Sequence, residues 1–287
     1  MIPTSIDEDF DLGEDQFHQL RDIIYEKSGI FFTDNKLYLL QNRLGNRLKD
    51  LGLSSFEEYI RYLRTQNGNM AEYHKIYNAV TINETYFFRF QAQLDAFQRK
   101  LLPNLVDQRR AINDRQLNIW SAASSSGEEV YTLAMILDEY LGSTLGNWNV
   151  QLLGTDISQR ALNQAREATY TRNSFRGAIT DLQKETYFEP IGNEFRLDGH
   201  IKSIPEFRYL NLNDNQEIGR LKKMDFIFCR NVLIYFDEVV KEKVLRSIYD
   251  VLSHGGYLFL GEAESLHGIS SSFKVEYFPG AFAYKKD

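Results

Sequence analysis

Few folds accommodate the segment Trp120-Ser-Ala-Ala-Ser-Ser-Ser-Gly127-Glu-Glu-Val-Tyr-Thr132. It reads as the end of a buried strand, then a run of the smallest side chains, then a helix starting on two carboxylates. Small residues let a ligand press against backbone at a strand's carboxyl end, where open α/β sheets bind their ligands. A phosphate at that helix start would want bare N–H groups and a cation. Glu128 and Glu129 stand there instead, and they suit a ligand with a cationic end. S-adenosylmethionine has a sulfonium and an α-ammonium, and carries a ribose but no phosphate. The same two glutamates also complement the helix dipole, an effect of about a few tenths of a kcal/mol, so the segment leaves both readings open.

From Leu117 onward, short apolar runs alternate with helical spacing. Strands are expected at Leu117–Ala123, Val150–Thr155, Phe207–Leu210, Asp225–Cys229 and Gly256–Gly261. Helices are expected at Glu128–Leu141, about 158–169 and about 237–252. A hairpin is expected around Pro279-Gly280. Such alternation implies a parallel sheet covered on both faces. Residues 170–210 break the rhythm and read as an insertion, partly of short antiparallel strands.

The first 80 or so residues are helical in pattern. Phe17, Leu20, Ile23 and Ile24 follow helical spacing up to Gly29. Leu37, Leu40, Leu44, Leu48 and Leu51 form one apolar stripe, with Lys36, Arg43 and Arg47 together on its flank. Ser54-Ser-Phe-Glu57 reads as a capping box opening a third helix, and Asn69-Met-Ala-Glu72 as the start of a fourth. The expected domains are a helical domain at 1–85, a linker helix at 86–110 and an α/β domain at 111–287.

Composition narrows the function. A formal charge of −7 argues against a general nucleic-acid binder. Cys229 is the single cysteine and the 5 histidines lack metal-ligand spacing, so no metal is expected. Neither a signal peptide nor a membrane-spanning apolar run is legible, which points to a cytoplasmic protein.

Three further segments carry candidate chemistry. Asp156, just past the second strand, is placed to accept hydrogen bonds from ribose hydroxyls, or else to cap the next helix; Ser158 is an equally good cap. In Thr81-Ile-Asn83-Glu84-Thr85-Tyr-Phe-Phe-Arg89, Asn83 and Thr85 suit the polar end of a ligand and Arg89 a carboxylate, with interdomain packing as the alternative. In Cys229–Asp237, Asn231 occupies a ligand-facing position past a parallel strand, and Tyr235 can aim its hydroxyl into the same cleft. Cys229 reads as a small packed residue rather than a nucleophile. Asn211 and Leu212 offer an amide and an apolar wall to an adenine.

Together, Asn83-Glu-Thr-Tyr-Phe-Phe-Arg89, Trp120–Tyr131, Thr155-Asp-Ile157 and Phe228-Cys-Arg-Asn-Val-Leu-Ile-Tyr-Phe-Asp237 resemble the chemotaxis receptor methyltransferases, the CheR family. The resemblance spans nearly the whole chain. It implies an α/β fold: a Rossmann-like S-adenosylmethionine-dependent methyltransferase domain with a small antiparallel β insertion, preceded by an all-α N-terminal domain. It implies methylation of glutamate side chains on the cytoplasmic helical domain of chemoreceptors, giving methyl esters and S-adenosylhomocysteine. Asn83, Thr85, Arg89, Glu129, Asp156, Asn211, Leu212, Asn231 and Val232 would line the cofactor site, with Glu129 on the ammonium and Asp156 on the ribose. Arg89 and Tyr235 would stand nearest the transferred methyl. Lys36, Arg43 and Arg47 would dock an acidic receptor helix.

Two departures from the family pattern stand out. The loop Ala123–Gly127 lacks a glycine-rich signature. The insertion is glycine-poor around Pro190–Gly199, where some members carry a loop for a receptor's C-terminal peptide. A monomer is expected, without nucleic acid and without membrane insertion. The alternatives are a non-catalytic S-adenosylmethionine-binding signalling module, a nucleic-acid methyltransferase and a nicotinamide dehydrogenase. The last two are opposed by the acidic balance and by Glu128 and Glu129.

Overall fold

The computed structural model describes residues 10–65 and 70–287. Asn69 and the acidic segment Met1–Asp9 lie outside the described residues. The chain divides into two compact units, Met1–Ile82 and Asn83–Asp287.

In the first unit, α1 (Glu14–Ser28) stops at Gly29, whose φ of 75° lets its N–H turn back to the carbonyl of Tyr25. Then come α2 (Leu37–Leu51), α3 (Phe56–Thr65) and α4 (Met70–Val80). Leu40, Leu44 and Leu48 are fully buried, as the stripe requires. The α3 cap sits one residue later than expected. Ser55 Oγ accepts the N–H of Glu58, while the Glu58 carboxylate accepts from the Ser54 N–H and hydroxyl.

The basic flank of α2 requires a correction at Arg47. Residue 47 stands three positions after Leu44 and seven after Leu40, so it shares their inward face. Its guanidinium forks onto Glu72 of α4 at 3.0 and 2.9 Å, Tyr59 donates to the same carboxylate at 2.8 Å, and Asp50 takes a further N–H. Arg47 is therefore a buried structural ion pair and not a docking cation. Arg43 is half-buried and donates to the carbonyl of Val80 at 2.6 Å. Lys36 is exposed.

The second unit begins with α5 (Gln91–Ala96), a π-helical turn at Phe97–Leu101, and α6 (Leu102–Ala111). The helix expected as a linker is thus part of this unit. Phe97, Leu101, Leu102 and Val106 are buried, and the Phe97 ring meets those of Phe226 and Phe228 at 5.0 and 5.4 Å. A free linker would leave that apolar surface in water. The boundary falls at Ile82/Asn83, just ahead of the one expected.

Then follow β1 (Gln116–Ala122), α7 (Glu128–Leu141), β2 (Asn149–Asp156), α8 (Gln159–Glu167), β3 (Thr169–Thr171), α9 (Asp181–Tyr187), β4 (Phe188–Ile191), β5 (Glu194–Leu197), α10 (Gly199–Lys202) and β6 (Pro205–Tyr209). The remainder is α11 (Asn215–Gly219), β7 (Met224–Cys229), α12 (Glu238–Val251), β8 (Leu252–Leu260), β9 (Lys274–Phe278) and β10 (Ala281–Lys285). One sheet has the order β6-β2-β1-β7-β8-β10-β9. Its strands pair in parallel from β6 to β8, and β10 is antiparallel to both neighbours. The insertion forms a separate antiparallel sheet, β3-β5-β4. The chain moves outward from β1 through β2 to β6 and then returns to β1's other side as β7. The carboxyl ends of β1 and β7 therefore border the topological switch point, the usual ligand crevice of such sheets.

Candidate active site

Three segments converge at this edge: Asn83–Phe90, the loop Ala123–Gly127 after β1, and Arg230–Tyr235 after β7. They share an unusual backbone. Among the described residues, Phe88, Phe90, Ala123, Ser125 and Asn231 all have positive φ, between 51° and 62°. Such conformations are unfavourable for residues with a Cβ and gather where a site over-determines the chain. Gly127 supplies the same hand at 93°, and there a Cβ would stand 2.9 Å from that of Ala165.

The β1 loop is held by groups from the next strand. Ser124 N–H donates to the carbonyl of Thr155 at 2.8 Å, and Ser125 N–H to the Asp156 carboxylate at 2.8 Å. The second Asp156 oxygen accepts from Ser158 N–H at 2.8 Å, while Ser158 Oγ caps α8 by accepting from Ala161 N–H. Burial pushes the Asp156 carboxyl above its usual range, and the N–H donors from Ser158 and Ser125 oppose that. The hydroxyls of Ser124 and Ser125 are buried with no hydrogen-bond partner.

The two glutamates that open α7 part company. Glu128 is buried and accepts from Ser126 Oγ at 2.7 Å and from Ser174 Oγ, in the insertion, at 3.0 Å. It shapes the loop rather than facing a ligand. Glu129 accepts from Ser121 Oγ at 2.7 Å and from Arg230 at 3.0 Å. Burial raises its carboxyl, while the Arg230 and Arg89 guanidinium groups act to keep it ionised.

Arg230, which the sequence reading passed over, ties the segments together. Its other terminal nitrogen donates to the carbonyl of Arg89 at 2.6 Å, and its Nε is buried without a partner. Glu264, also passed over, lies beyond β8. Its buried carboxylate accepts N–H groups from Asn231 and Gly261, both at 2.7 Å, and from Ile234 at 3.3 Å. Asn231 is thereby fixed with its backbone in the left-handed region. Gly261 is required beside it, because a Cβ there would lie 2.7 Å from Asn231 Nδ2 and 2.9 Å from its backbone nitrogen.

Tyr235 closes a short 3-10 turn, Leu233–Tyr235, half-buried on the same loop. Arg89 lies half-buried at the rim. It donates to the carbonyl of Glu84 at 3.0 Å, and its guanidinium stands 5.3 Å from the Tyr86 ring centre. Asn83 and Thr85 are half-buried on the same segment, Asn211 and Val232 are half-buried, and Leu212 is buried. Cys229 is fully buried, and burial beside Glu264 and Glu129 drives its thiol well above the ordinary range, so it packs and does not attack.

Expected positions 83, 85, 89, 129, 156, 211–212, 231–232 and 235 therefore all belong to the second unit, and those from 129 onward lie at or beyond the carboxyl ends of strands. Glu129 at the start of α7, Asp156 at the end of β2, unsatisfied serine hydroxyls and a loop of minimal side chains fit a cationic adenosine derivative. Such a derivative brings a donor for each acid and acceptors for the hydroxyls. A Rossmann-type sheet with this pattern is that of an S-adenosylmethionine-dependent methyltransferase.

Comparison with known families agrees. The model of the CheR methyltransferase SAM-binding domain matches residues 83–280, and that of the CheR methyltransferase all-alpha domain matches residues 15–81. Chemotaxis protein methyltransferase 2 of Vibrio cholerae is 34% identical over 275 residues, covering 96% of this chain and 94% of the relative. The chemotaxis protein methyltransferase of Borreliella burgdorferi is 34% identical, covering 96% and 95%. Chemotaxis protein methyltransferase 1 of Pseudomonas aeruginosa is 35% identical, covering 92% and 95%. The chain belongs to the CheR methyltransferase family, and its cofactor is S-adenosylmethionine.

Proposed function

We propose that this enzyme transfers a methyl group from S-adenosylmethionine to glutamate side chains on the cytoplasmic helical domain of chemoreceptors, forming methyl esters during adaptation in chemotaxis. A cytoplasmic location follows from that substrate. The observation that carries the reading is the pairing of charges in one site. Glu129 and Asp156 suit the cationic donor, and Arg89 at the rim suits an anionic acceptor.

The bound cofactor supplies an electrophilic methyl on sulfonium sulfur. A glutamate acceptor is already ionised at neutral pH, so no residue of the chain would need to supply or remove a proton. The chain's own task is therefore alignment and exclusion of water. Arg89 or Tyr235 holds one carboxylate oxygen while the other is directed at the methyl. Glu129 would hold the ammonium, Asp156 the ribose, and Asn211 and Leu212 the adenine. Asn83, Thr85, Asn231 and Val232 complete the wall. Exposed Lys36, with Arg43 beside it, offers the receptor helix a basic approach.

The direct test is incubation with radiolabelled S-adenosylmethionine and receptor-containing membranes. Label on receptor-sized bands that is released by base is the expected result. Tight cofactor binding without any labelled protein would overturn the reading.

A further inference from the structure

A charged group not assigned above stands beside Tyr86 with Arg89. Arg176, in the insertion, stands 4.6 Å from the Tyr86 ring centre and pairs with Glu84 at 2.7 Å. Arg89 lies 5.3 Å from that same ring centre, so the two guanidinium groups are within about 10 Å of one another.

The relation between them is built in. Phe87 N–H donates to the carbonyl of Ser174 at 2.9 Å. Gly177 packs so tightly that a Cβ would fall 1.9 Å from the carbonyl oxygen of Phe87. Ser174 is also fastened to buried Glu128. The turn bearing Arg176 is therefore locked to the segment bearing Arg89.

The Arg176–Glu84 pair itself is exposed, with side chains 42% and 69% accessible, and a pair of that kind contributes little to stability. Glu84 presents a carboxylate to Arg176 much as an acidic substrate does, and a second acid can replace it at little cost. On a helix, carboxylates at i and i+3 or i+4 have Cβ atoms about 5–6 Å apart, and their side chains reach two cations at this spacing.

We propose that Arg176 is a substrate-binding residue. It takes a second carboxylate of the acidic substrate helix while Arg89 takes the acceptor, and Glu84 fills its place until substrate arrives. The inference rests on the glutamate-methylation reading and adds a requirement for a neighbouring acid.

The experiment measures binding of a labelled helical peptide with glutamates at i and i+4, by fluorescence anisotropy, alongside methyl transfer to it. Arg176→Ala is expected to weaken peptide binding about tenfold, and Glu84→Gln to strengthen it about two- to fivefold, at unchanged S-adenosylhomocysteine affinity. Replacing one peptide glutamate by glutamine should abolish the Arg176→Ala effect. A mere clasp between two segments predicts the same direction for both variants, because each breaks the same pair. Equal peptide binding by wild type and Arg176→Ala, or changes of like sign in the two variants, overturns the proposal. If wild type binds the peptide yet esterifies no carboxylate, the glutamate chemistry fails while the binding comparison still decides the role of Arg176.

Discussion

The helical unit and the methyltransferase unit each bury an arginine against a glutamate, and the two pairs are finished differently. Arg47 has a two-pronged fork on Glu72, with Tyr59 and Asp50 completing the network. The backbone around it is regular helix. Arg230 gives Glu129 one N–H, spends another on the carbonyl of Arg89 and leaves Nε with no partner. Strained positions flank its contacts, Phe88 and Phe90 beside Arg89 and Asn231 beside Arg230 itself. A closed network fixes a fold. An open, strained one keeps polar capacity in reserve, as a ligand site requires.

That contrast breaks most sharply at Glu72. Glu72→Ala leaves Arg47 buried with only Asp50, and a loss of about 3 kcal/mol or more is expected. Denaturant unfolding measures it. Affinity for S-adenosylhomocysteine, measured by calorimetry on the folded protein, should not change. A fall in cofactor affinity as large as the fall in stability would erase the distinction between the two pairs.

On the open side the largest effect belongs to Arg89. Arg89→Ala is expected to lower turnover about 10²- to 10³-fold while shifting cofactor affinity less than about threefold. Single-turnover kinetics beside a binding isotherm separates the two. Equal losses in both would make Arg89 simply a cofactor ligand.

Glu129→Gln keeps the shape and an acceptor for Arg230 but loses the charge. Cofactor affinity should fall about 10- to 100-fold, with turnover at saturation much less affected. The pH dependence carries a definite sign. Burial raises the Glu129 and Asp156 carboxyls in the folded protein. Their contribution to folding therefore worsens as pH rises from the ordinary carboxylate range through those raised values, and improves as pH falls. Binding of the cofactor's ammonium runs the other way, because it needs Glu129 ionised. The rise in melting temperature on adding S-adenosylhomocysteine should shrink as pH is lowered from about 7 to 5. A shift that holds constant over that range removes Glu129 from the binding step.

The same contrast explains what was legible in the sequence. Strands β1, β2 and β7 and helix α7 announce themselves through local apolar runs and small-residue loops, and their expected bounds lie within a residue or two of those observed. Asp156 and Asn231 follow from the rule that ligands sit past strand ends. Arg230 and Glu264 did not stand out because their meaning lies in partners far along the chain, Glu129 and Asn231 respectively. Arg47 was misplaced for the same reason. Its spacing from Leu40 and Leu44 already sets it on their inward face, but a cation is held there only because α4 brings Glu72. Glu128 and Glu129 are adjacent and chemically identical, and only their partners separate them: Ser126 and Ser174 hold the first, Ser121 and Arg230 the second.

The smallest expected effect tests what remains of the basic flank. With Arg47 buried and Arg43 engaged on Val80, Lys36 is the exposed cation of that set. Lys36→Glu should lower receptor methylation about two- to fivefold at low ionic strength, and the difference should fade toward about 0.5 M salt, since exposed charges are screened over shorter distances as salt rises. The measurement is the initial methylation rate with receptor membranes across a salt series. Arg47→Glu is the contrasting variant: it sets two carboxylates against each other in a buried site, so its loss should appear in unfolding and persist at every salt concentration. If Lys36→Glu leaves the rate untouched at low salt, the receptor approaches over some other surface, and Arg43 and Arg47 serve the fold alone.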